Sequence, residues 1–118
     1  MDKKQANLCF HPSERLKSNL FLLSSALDRL ATLKAEGLEG GKEVIKGVLD
    51  ALRNELNMAR QYFPSEAINS IERELSEVEA EMDLYDYAKA GEHLGKTLSH
   101  VTTLSNKYIR VLIDEDLI

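Results

Sequence analysis

Three histidines, one cysteine and a crowd of carboxylates are the residues of this chain best equipped for chemistry. His93 and His100 lie seven residues apart on what reads as one helix, about 10 Å along its axis at roughly 1.5 Å per residue. They cannot share one ion whose bonds are about 2 Å long without ligands from elsewhere. A metal centre built on Glu-x-x-His needs a glutamate three residues before the imidazole. Leu8, Ala90 and Thr97 stand there, before His11, His93 and His100. His-Glu-x-x-His is also missing. The expectation is therefore no metal and no cofactor. Cys9 is a single thiol, which excludes an internal disulfide or a Cys-x-x-Cys motif and suits a reducing, cytoplasmic setting.

His93 is the one imidazole with a motif beside it, Glu92-His93-Leu94-Gly95-Lys96-Thr97. Here the imidazole can attack a phosphoryl group and Lys96, one turn on, can steady its charge. The segment resembles histidine phosphotransfer domains, acidic four-helix bundles with His-x-x-Lys-Gly on an exposed helix face. The resemblance implies His93 as phosphoryl acceptor and Lys96 as its cation. It covers those two residues: Thr97 occupies the family's glycine position, Gly95 is displaced by two, and the motif lies on the last helix rather than an early one. Other enzymes built on helical bundles find no match. Glu74 and Glu77 have the Glu-x-x-Glu spacing of all-α nucleotide pyrophosphohydrolases, but no Glu-x-x-Asp follows. No arginine precedes His93 or His100 at the spacing of the Arg-x₄₋₆-His helical ribonucleases.

The carboxylates are unevenly spread. Residues 65–86 hold eight acids against one base, Arg73, while residues 1–64 hold ten bases and eight acids. At helical spacing Glu72, Glu79 and Asp83 flank the apolar seam of this segment on one side, and Glu74, Glu77 and Glu81 on the other. Within-helix ion pairs cannot neutralise them, and like charges one turn apart repel. Two readings follow: a solvated face paired to Arg29, Arg53, Arg60 or Lys89 of adjoining helices, or a docking surface for a basic partner. The net charge of −5 argues against nucleic acid, whose binding rests on neutralising phosphates with Lys and Arg.

The elements that position these groups are helices. Leu16, Leu20, Leu23, Leu27 and Leu30 recur at spacings of 4 and 3, the signature of a buried helical stripe. His11-Pro12-Ser13-Glu14 reads as the start of that helix and Gly37 as its end, with Gly40-Gly41 closing the loop. Residues 1–11 then form a loose arm, with no signal-peptide core. Similar seams run through Ile45 to Phe63, through Ile68 to Tyr85, and through Tyr87, Leu94, Leu98, Val101, Tyr108 and Leu112. The predicted helices span about residues 12–36, 42–62, 65–83 and 86–113 of a domain covering 12–118. Gly91 and Gly95, with Ala88, form a smooth strip that predicts close approach of a neighbouring helix. Asp86-Tyr87-Ala88-Lys89-Ala90 resembles the inter-helix turn of tetratricopeptide repeats, over five residues and without a second copy. No run alternates with period two, and the longest apolar stretch, Leu20 to Leu23, is four residues, too short for a membrane span.

The fold class predicted is all-α, an antiparallel up-down-up-down four-helix bundle. With the catalytic motifs eliminated, the function predicted is a non-catalytic protein–protein interaction or regulatory module, histidine phosphotransfer being the alternative. Leu22 and Leu33 form a second apolar stripe on the first helix, and Phe21 points a third way. Such surface marks an interface. The expected partners are a protein, basic if it docks on Glu74, Glu77 and Glu81, and a second copy joined through the first helix. Neither nucleic acid nor membrane is expected.

Overall fold

A computed structural model describes residues 2–114, and within them four helices and no strand: α1 (Lys3–Leu30), α2 (Ala35–Ala59), α3 (Ser65–Asp83) and α4 (Tyr87–Asp114). The last four residues of the expected domain lie outside the described residues. The connections are four, five and three residues long, and the molecule measures 53 × 22 × 19 Å. A 28-residue helix is about 42 Å long, so connections this short and a body this narrow force consecutive helices to run antiparallel. Cross-helix contacts agree: Arg15 meets Glu55, Lys42 meets Asp83, and Glu14 meets Ser105. Each helix touches two neighbours, in the cycle α1–α2–α3–α4, and α4 lies closest to its own.

The predicted leucine stripe of α1 is buried throughout, as are the seams of α2 and α3 from Ile45 to Ala59 and from Ile68 to Met82. The ends differ from expectation. The arm is helical, because Ala6, Cys9 and Ser13 carry the stripe of Leu16 backwards at spacings of 3 and 4 and are all buried. Their small or polar side chains hide the periodicity. Asp2 caps the helix, its carboxylate accepting from the Gln5 N–H at 2.7 Å. Pro12 sits inside α1 and removes one backbone bond; packing of the first three turns overrides its usual reading as a start signal. At the other end α1 stops at Leu30, and the three glycines taken as stops lie within α2. Gly41 is there for closeness. A Cβ at that point would meet Leu30 Cδ1 at 2.7 Å and Leu33 Cδ1 at 3.2 Å.

The seam of α4 is shifted by one residue from the smooth strip. Ala90, Thr97 and Ser105 alternate with Leu94, Val101, Tyr108 and Leu112 on the buried face. The small residues let α4 settle against α1 and α3, and Thr97 Oγ1 satisfies itself on the His93 carbonyl at 2.9 Å. Ala88, Gly91 and Gly95 face outwards, about 100° away. Between α3 and α4, Tyr85 takes a left-handed φ of 59°. The Asp86 N–H reaches back to the Glu81 carbonyl at 2.8 Å and the Tyr85 N–H to that of Met82 at 3.0 Å, a Schellman end with tyrosine where glycine is usual. Tyr85 is consequently exposed rather than part of the α3 seam. Its hydroxyl donates to Glu39 and its ring lies under Lys42 Nζ, 4.5 Å from the centroid.

Because nothing lies within 4 Å of a Cβ at Gly91 or Gly95, each Gly→Ala change there should stabilise by about 1 kcal/mol in thermal or urea unfolding. Gly41→Ala should gain nothing or lose, since the buried Leu30 must move. Destabilisation by Gly95→Ala would mean that a helix does approach that strip.

Candidate functional site

The two acidic flanks of α3 meet different neighbours. Towards α2, every carboxylate of the flank finds a cation. Glu72 pairs with Arg60, Glu79 accepts from Arg53 at 2.9 Å, and Asp83 lies 2.8 Å from Lys46 Nζ and 3.4 Å from Lys42 Nζ. Arg29 forms no ion pair among the described residues, and Lys89 pairs within its own turn, with Asp86. The hydrogen bond from Lys46, with help from Lys42, holds the Asp83 carboxyl below its ordinary value. Asp83 in turn raises Lys46; at Lys42 burial pulls down most strongly, and Asp83, Tyr85 and Glu39 together outweigh it, so that lysine is raised too.

Towards α4 the supply of cations fails. Glu74 Oε2 lies 2.8 Å from His93 Nδ1, with His93 22% exposed at its side chain. An ionised carboxylate can only accept, so Nδ1 carries the proton of that bond. Glu77, exposed, and Glu81, half-buried, form no ion pair among the described residues. Each nevertheless offers an oxygen that lies with a His93 ring nitrogen in a group whose atoms are all within 4.8 Å of one another. The acidic trio and His93, separate features along the chain, are thus one site across the α3–α4 interface. Lys96 is elsewhere. It borders a shallow depression with Glu92, Gly95, Ser99 and His100, which His93 does not line.

The apolar candidates are all exposed, Phe21 at 56%, Leu22 at 70% and Leu33 at 44%. Leu22 belongs to a groove. With Leu23 and Ala26 of α1 and Val48, Ala51 and Leu52 of α2 it lines a cleft of about 400 Å³. At one end Glu55 accepts from Arg15 and Asn19, each at 3.0 Å, and clamps the two helices together. Val44 and Met58 are also exposed on α2. The spacing of Val44, Val48, Ala51 and Met58 is a second stripe on that helix, the counterpart of Leu22 and Ala26, and it was open to detection from the sequence.

Cys9 is buried in α1, not in a loose arm; its thiol donates to the Tyr62 carbonyl at 2.7 Å, and burial pushes it up, away from the thiolate a nucleophile needs. No helix of the described residues is long and apolar enough to cross a membrane. Comparison of the chain with protein-family models, curated proteins and solved structures finds no match in any of the three.

The Asp83 pairings predict a pH dependence with two limbs. A carboxyl held low contributes stability that is full above its unfolded pKa and is lost as pH falls through the folded one. Lysines held high contribute below their unfolded pKa and lose that contribution as pH rises through their folded values. Asp83→Asn should flatten the melting temperature against pH at both extremes. An unaltered profile would show the pairs to be idle.

Proposed function

We propose that this protein is a non-catalytic interaction module that binds through the α1–α2 face, and that a second copy of the chain is the partner that face fits. The observation that carries the reading is the groove. It is apolar along its floor and continuous with the exposed Leu22, and exposed Val44 and Met58 lie on α2 beside it. Exposed apolar surface gathered in this way is costly to leave in water. A two-fold axis lets the Leu22 ridge of one copy enter the groove of the other while the same contact is made in reverse. A reducing, cytoplasmic setting belongs to the same proposal.

The acidic flank supports docking less well. Glu74 is engaged by His93, so a basic partner would meet chiefly Glu77 and the edge of Glu81. Phosphotransfer draws little support, since an incoming phosphoryl group would approach His93 among three carboxylates.

Light scattering at micromolar concentration should give twice the monomer mass. Leu22→Glu and Val48→Glu should each yield monomer while leaving the melting curve cooperative, because both side chains lie outside the core. A monomeric wild type, or variants that still dimerise, would count against the proposal.

A further inference from the structure

The imidazole of His93 sets the α3–α4 group apart from a plain run of carboxylates. Its Nδ1 is committed to Glu74, which leaves the Nε2 lone pair available in the neutral ring. This is how metal-ligating histidines are commonly held, one nitrogen fixed by a carboxylate and the other turned to the ion. Glu77 and Glu81 are one turn apart on α3, so the same helix face offers both oxygens, and α4 supplies the nitrogen from across the interface. One oxygen of each glutamate and a ring nitrogen of His93 lie within 4.8 Å of one another. Around an ion with bonds of about 2.0–2.2 Å, tetrahedral donors are roughly 3.4 Å apart. Side-chain rotation closes that difference, since Glu77 is exposed and Glu81 half-buried. Charge favours it too: these are the acids of the inner flanks of α3 for which the described residues provide no ion pair.

We propose that Glu77, Glu81 and His93 form a divalent-metal site, with Glu74 orienting the imidazole and zinc the ion it suits best. Zinc accepts mixed nitrogen and oxygen ligands, whereas magnesium and calcium take oxygen shells. Three protein ligands leave at least one position for water. The bound ion neutralises the flank and ties α3 to α4. This site is independent of the α1–α2 groove, and a monomeric protein leaves it untouched.

The test is calorimetric titration of zinc chloride into the full-length protein after stripping with chelator, with cobalt(II) absorption as a second readout. One zinc per chain is expected, with visible cobalt bands of a four- or five-coordinate ion. His93→Gln and the double change Glu77→Gln with Glu81→Gln should abolish both signals, and Glu74→Gln should weaken binding by about 10–100-fold. His100→Gln should bind as wild type. Circular dichroism of each variant establishes that it is folded. Absence of zinc binding, zinc binding undiminished in folded His93→Gln, or magnesium binding preferred to zinc would each overturn the assignment.

Discussion

Neutralising α3 is the constraint around which the polar surface of this bundle is arranged. Its acids flank the apolar seam on both sides, and Arg73, the one base within it, cannot serve them. Burying the seam from Ile68 to Met82 brings both flanks against neighbouring helices, where like charges are hardest to tolerate. From α2 come Arg53, Lys42 and Lys46, and from the residue that caps its C-terminus, Arg60. From α4 comes a single imidazole. The first interface is closed electrostatically by the chain itself, and the second leaves Glu77 and Glu81 without an ion pair among the described residues.

Packing divides the molecule along different lines. The alternation of Ala90, Thr97 and Ser105 with larger residues seats α4 deeply between α1 and α3. Between α1 and α2 the bulk of Leu22, Val48 and their neighbours stays outside the seam, and the gap there is the apolar groove. Gly41 faces the Leu30 and Leu33 side chains at one end of the pair, and Glu55 ties α2 to α1 nearer the other. The groove therefore lies between those two contacts.

Much of this was legible in the sequence, wherever large apolar residues mark the period. The leucine stripe of α1, the seams of α2 and α3, and the division of the α3 acids into two flanks follow from spacing alone. So do the Arg53 and Arg60 pairings in kind. The N-terminal turns were not legible, because Ala6, Cys9 and Ser13 are buried but small or polar, and so hide the period. Glycines mislead for a related reason: Gly37, Gly40 and Gly41 resemble stops, and only the neighbouring helix reveals that Gly41 is needed for closeness. The His93–Glu74 contact joins residues 19 apart on different helices. A motif scan along one helix tests His93 against His100 and Lys96, and is blind to ligands contributed across an interface.

The asymmetry between the two flanks is the claim on which the account turns, and paired charge removal tests it directly. Glu72→Gln with Glu79→Gln removes acids that α2 neutralises, while Glu77→Gln with Glu81→Gln removes acids that repel each other one turn apart. Melting temperatures would be measured at low salt with chelator present, so that screening and bound metal do not mask the effect. The melting temperature is expected to fall for the first pair and to rise for the second. A fall for both, or the reverse order, would contradict that asymmetry.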